Sequence, residues 1–203
     1  MNNKQTHFDW YFALQWLVSC MVGTAVLGMV AYASMWRLGE AAGQAGNNEL
    51  ITVLVAGALF GTFLALGGTL GPGLLLRRVG ISAGRWIGYS ILVAAIAMSA
   101  GVTLISSQNY PMQEPAVSAL FVGLALGLPM GLVQWLLLKQ QGVSAAIWPL
   151  ITVTAYILAF GIVVYFSGEG REWLVLGGMG LTLGAVTGLG MMWVLRQETA
   201  VAV

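Results

Sequence analysis

The sequence predicts an all-α integral membrane protein of six transmembrane helices, arranged as three repeated helical hairpins with both termini on the cytoplasmic side. Three observations predict it. Only 7% of the 203 residues are charged, whereas a soluble domain carries about 25% because its surface must meet water. Mean hydropathy is +0.87, concentrated in six long apolar runs. Finally, residues 74–86, LLLRRVGISAGRW, return 62 residues later as LLLKQQGVSAAIW, with seven of thirteen positions identical.

The six runs are placed near 11–35, 50–76, 86–106, 116–138, 146–167 and 173–195. Each covers roughly 30 Å of hydrocarbon at about 1.5 Å per residue. They lack the apolar–polar alternation of a barrel strand, and lipid leaves helix as the other way to pair every backbone group. In the first run, Ala31-Tyr32-Ala33 resembles a signal-peptide cleavage site. The apolar stretch from Tyr11 is longer than a signal core of about 7–15 residues, however, and the single Lys4 before it is offset by Asp9. Span one is therefore expected to remain as a membrane helix. The one cysteine, Cys20, lies inside it, which suits a small packed side chain and excludes an intramolecular disulfide or a Cys-pair metal site.

Span two ends on the first copy of the repeated segment. Leu74–Leu76 form its last apolar turn, and Arg77 favours both the helix dipole and lipid headgroups. Gly80 fits a left-handed helix stop, Ser82 the N-cap of span three, and Trp86 the interfacial aromatic belt. Lys139, Gly142, Ser144 and Trp148 repeat this order between spans four and five. Thr6 and Trp10 keep the spacing ahead of span one and suggest a third copy. The repeat units fall at about 6–77, 82–139 and 144–196, within a single transmembrane domain covering 1–203.

The even spans carry small residues every fourth position: Gly61, Ala65 and Thr69; Gly123, Gly127 and Gly131; Gly180, Gly184 and Gly188. Lipid tails are as apolar as leucine, so close van der Waals approach, which small residues permit, must hold helices together. The expected arrangement sets the three even helices against one another, with the bulkier odd helices outside.

Charge placement orients the bundle. One side holds Lys4, Arg77, Arg78, Arg85, Lys139 and Arg196, and the other only Arg37 and Arg171. Six against two is the positive-inside bias of a cytoplasmic-membrane protein with both termini inside. Acidic residues lean outward, with Glu40, Glu49, Glu114, Glu169 and Glu172 opposed to Asp9 and Glu198. Net charge is +1 and no basic cluster points to nucleic acid.

Little in the sequence suggests chemistry. No acidic, basic or histidine side chain falls well inside a span, which counts against proton relays and ion-coupled transport. His7 stands alone in the N-terminal tail, without the companions a metal or haem site needs. No nucleophile triad, HExxH or phosphate-loop pattern occurs, so no catalytic residue, cofactor or metal ligand is assigned and enzymatic activity is not expected. The most polar side chain deep enough to matter is Gln134, suited to a hydrogen bond between helices or to a solute. Pro129, near the middle of span four, removes a backbone N–H and disturbs the carbonyl of Ala125. Broken helices at the midplane are where transporters place substrates.

The run Gly-x-x-x-Gly-x-x-Gln-Trp-Leu-x-Leu-Lys at 127–139, followed by a short turn and Trp148, resembles a group of small uncharacterised polytopic bacterial membrane proteins. In them glycine-rich helices end in Gln-Trp-Leu-x-Leu-(Lys/Arg). The resemblance implies a class of membrane protein and no activity. Two functions stay open: a non-catalytic scaffold or accessory subunit of a membrane complex, whose partners are the lipid bilayer and another membrane protein, or a small permease or channel for an uncharged or weakly polar solute.

Overall fold

The computed structural model describes residues 10–45, 49–107, 114–167 and 170–201. They form six helices: α1 (Trp10–Ala45), α2 (Glu49–Arg77), α3 (Ala83–Ser107), α4 (Pro115–Gln140), α5 (Trp148–Phe166) and α6 (Glu172–Val201). Every one is long and apolar enough to cross a membrane. Their order is the expected one, but α1 runs on past Met35 to Ala45. At about 1.5 Å per residue its 36 residues outreach a hydrocarbon layer of roughly 30 Å. In the extra turns Trp36 Nε1 donates to Glu40 Oε1 at 2.9 Å.

Each helix packs on its neighbours in sequence, and α6 returns to α1, so the six close into a ring. This overturns the expected meeting of the even helices. Among the described residues α2 and α6 touch only marginally, and α4 reaches neither. The small-residue stripes lie instead on the next odd helix around the ring. A Cβ on Gly123 would stand 2.6 Å from Ile157 Cα, on Gly127 2.8 Å from Val153 Cα, and on Gly131 2.7 Å from Pro149 Cα, all in α5. On α6, a Cβ at Gly180 would meet the Cys20 carbonyl at 2.7 Å, at Gly184 Leu17 Cα at 2.8 Å, and at Gly188 Trp16 Cδ1 at 3.0 Å. Gly61 of α2 abuts the Ala94 carbonyl of α3, and Ala65 and Thr69 are buried on the same helix. The physical reason is volume: Trp16, Trp86 and Trp148 of the odd helices, with Leu64, Leu126, Met130 and Met179 of the even ones, fill the middle of the ring and hold the even helices apart.

The second face of α2 is also bare. A Cβ on Gly67 would lie 2.7 Å from the Gly23 carbonyl carbon, so α1 and α2 cross backbone to backbone. Between α3 and α4 there is no such approach. The α4 stripe faces α5, and nothing stands within 4 Å of a Cβ placed on Gly84, Gly88 or Gly101 of α3.

The two turns of the repeated segment carry the same pair of bonds. Ile81 N–H donates to the Leu76 carbonyl and Gly80 N–H to Arg77; Val143 N–H donates to Leu138 and Gly142 N–H to Lys139. This is the Schellman stop, and φ of +88° at Gly80 and +81° at Gly142 places both in the left-handed region that favours glycine. The helix starts then diverge. Ser82 occupies the N-cap position of α3, its carbonyl accepting from Trp86 N–H. Ser144 is not the N-cap of α5, which begins at Trp148 behind Ile147. Pro149 has no N–H for an i−4 bond to Ala145, and Trp148 N–H takes that carbonyl through a tighter i−3 turn.

Two apolar layers fill the ring. Near the end that bears Arg77, Lys139 and Arg196, Leu76, Leu138 and Leu195 surround Trp16, Trp86 and Trp148. Farther along, Leu64, Leu126, Met130, Ala155, Phe160 and Met179 form the second layer. Leucines such as Leu92, Leu124, Leu136, Leu150 and Leu174 face outward.

Candidate functional site

Three indoles meet inside the ring. Trp16, Trp86 and Trp148 are 1%, 2% and 1% exposed, with ring centroids 6.5 Å apart for the first pair and 6.0 Å for the second. Trp86 and Trp148 thus do not lie in a lipid-facing interfacial belt. Trp10, expected as the third member of the set, is 71% exposed, and Trp16 occupies the interior instead. The phase of the helices decides this. One turn after each buried indole comes Cys20, Ser90 or Thr152, a small residue facing the same way and also buried. A tryptophan above a small polar residue points at the ring interior, and that pairing in the sequence marks the inward face.

Gln134 anchors the polar part of the site. It is 5% exposed and connects three helices: Trp148 Nε1 of α5 donates to its Oε1 at 3.0 Å, and its Nε2 donates to Ser90 Oγ of α3, also at 3.0 Å. An indole N–H can only donate, which sets the orientation of the amide. Across the ring, Trp16 Nε1 donates to Thr187 Oγ1 of α6 at 2.9 Å, and that hydroxyl donates to the Leu183 carbonyl. Thr152 and Thr69 likewise return their protons to the carbonyls of Trp148 and Ala65.

Trp86 differs. Its Nε1 is buried and has no hydrogen-bond partner in the protein. The position that would mirror Gln134, 62 residues earlier, is Pro72, which has no amide to offer. Pro72 lies inside α2 and strips the helical donor from the carbonyl of Gly68. The Cys20 thiol replaces it, with Sγ 3.3 Å from that oxygen. A buried donor left without acceptor costs about 1–3 kcal/mol, so the indole of Trp86 is a point of unmet polarity. Thr24 Oγ1 is the other such atom among the described residues, and it stands 3.8 Å from where a Cβ on Gly68 would be.

A cavity of about 30 Å³ opens between these groups. Its wall includes all three indoles, Gln134, Thr69, Thr152, Thr187, Cys20, Gly68 and Pro72. The space is large enough to hold water. Pro129 is half-buried one residue from Met130, which lines the cavity, and does not itself line it. Pro72, Ser90 and Thr187 were not legible as partners from the sequence, where each sits in an apolar run with no charged or motif-like neighbour to single it out.

Outside the ring interior, Lys139 Nζ lies 5.4 Å from the Trp135 ring centroid and Arg78 Nη1 donates to Gln15 Oε1 at 3.1 Å. Gly170, at φ +76°, donates its N–H to Glu172 Oε1 at 3.3 Å. Lys4, Thr6, His7, Asp9 and Glu169 lie outside the described residues, as do the side chains of Glu49 and Glu198. Among the described residues no three His, Cys, Asp or Glu side chains converge as metal ligands do. Set against known proteins, the chain matches no family model, no curated protein and no solved structure.

Proposed function

We propose that this protein is a non-catalytic scaffold or accessory subunit of a membrane complex. In this reading the chain is three repeated hairpins, α1–α2, α3–α4 and α5–α6, set in the cytoplasmic membrane with both termini inside. The observation that carries it is the packed axis: Trp16, Trp86 and Trp148 are buried side by side in the ring interior, and the cavity of about 30 Å³ lies between them and the polar side chains, which supports packing over conduction. Among the described residues the buried polar ones are uncharged, namely Thr24, Thr69, Ser90, Ser118, Gln134 and Thr152. That supports a packing role over ion-coupled transport, which calls for an ionisable group in the membrane. The apolar outer surface suits lipid and the flank of another membrane protein. The cations Arg77, Arg78, Arg85, Lys139 and Arg196 cluster where the even helices end, in keeping with the proposed orientation.

A second reading, a permease or channel for a small uncharged solute, draws on the polar lining of the cavity by Gln134 and the threonines. Reconstitution separates the two. Proteoliposomes carrying the purified protein should pass glycerol and urea no faster than empty liposomes, and a stoichiometric membrane protein should accompany the chain from native membranes. Flux well above the empty-liposome rate, abolished by Gln134→Leu in a protein that still folds, would replace the scaffold with the permease.

A further inference from the structure

The geometry points to a built binding site for a water-sized, neutral hydrogen-bond acceptor at Trp86, between α2 and α3. Three observations place it. Trp86 is 2% exposed, lines the cavity, and keeps an indole N–H with no partner in the protein. Its pyrrole edge faces α2: Cδ1, the atom bonded to Nε1, is 3.4 Å from where a Cβ on Gly73 would stand. Next to Gly73, Pro72 presents a ring where the equivalent residue beside Trp148 presents an amide. Trp16 and Trp148 meet Thr187 and Gln134, whereas Trp86 meets a space.

The chemistry of the wall selects the occupant. The N–H needs an acceptor, and the volume of about 30 Å³ is large enough to admit water. A buried water also needs acceptors for its own protons. Thr69 and Thr152 already donate to backbone carbonyls, so their oxygens keep lone pairs. The Gly68 carbonyl, opened by Pro72, has a second lone pair beside the one that takes the Cys20 thiol. Gln134 uses one amide proton on Ser90 and keeps the other. Cations find no charged partner on this wall, and anions find no cation. The occupant is water, accepting from Trp86 Nε1 and donating to the oxygens of Thr69, Thr152 and Gly68, while the free Gln134 N–H offers it a further donor. The assignment is independent of whether the protein is a scaffold or a permease, since a resident water need not cross the bilayer.

The test uses protein labelled with nitrogen-15 in its tryptophan indoles, in detergent micelles. Magnetisation transfer from water should reach the Trp86 indole proton, assigned by its loss in Trp86→Phe. It should be absent from Trp16 and Trp148, with exposed Trp10 and Trp173 as positive controls. A Trp86 signal silent to water while the controls respond would overturn the site. Should Trp86→Phe fail to fold, a high-resolution map of the unaltered protein decides alone. Density for a water within hydrogen-bonding distance of Nε1 supports the site, and clean solvent-free density there removes it.

Discussion

Gln134 shows how much one side chain can hold in a bilayer. Gln134→Leu keeps the volume but leaves the Trp148 indole and the Ser90 hydroxyl without their present bonds. In bilayers such contacts contribute on the order of 0.6–2 kcal/mol each, so the variant should lose about 1–3 kcal/mol, read as a lower thermal midpoint in lipid nanodiscs. The reverse change is expected at Pro72. Pro72→Gln supplies a backbone N–H for Gly68 and an amide opposite Trp86, as Gln134 stands to Trp148, and should raise the midpoint by the equivalent of about 1 kcal/mol. An unchanged or lower midpoint would show that α2 needs its proline. At this scale Gln134 was legible, because a lone amide in an apolar helix stands out. Pro72 was not: it lies near the end of a long span, and its effect depends on which indole lies across from it.

Among the elements, the glycine stripes carry a sharper test than their spacing alone. Gly127→Val drives a branched side chain toward Val153 Cα, where a Cβ would already be 2.8 Å away. The strain belongs to backbone, so the helices must separate, at about 1–3 kcal/mol. Gly88→Ala, with nothing within 4 Å of the new methyl, should be neutral or stabilising by up to about 1 kcal/mol through helix propensity. The thermal midpoint should therefore fall for Gly127→Val and hold or rise for Gly88→Ala. The positions of the small residues and the two turns were legible in the sequence, since a four-residue spacing and a left-handed glycine have local causes. The partner of each stripe was not. Every small-residue face offers close approach, and the choice between even and odd neighbours follows the bulk in the middle, the three indoles in one layer and Leu64, Leu126, Met130, Phe160 and Met179 in the other.

For the whole molecule, the contact of α6 with α1 matters most. It puts the first and last helices side by side, with Gly188 against Trp16 at the end of the ring where α1 begins. A circular permutant that links Val203 to Met1 and opens the Gln141–Ala146 turn keeps all six helices and their alternation. It is expected to fold with the same helix content by circular dichroism and one cooperative unfolding transition. A permutant that never reaches a cooperative state would show that α1 and α6 are not neighbours. This closure was out of reach of the sequence, because contacts between the two ends of the chain leave no local pattern. The three buried indoles have one more consequence, an optical one. Of eight tryptophans, Trp16, Trp86 and Trp148 are sealed from the surroundings while Trp10, Trp36, Trp173 and Trp193 look outward. Brominated acyl chains should extinguish the emission of outward residues that lie at their depth and leave the sealed triad glowing, so the protein reports the integrity of its own centre without any added dye.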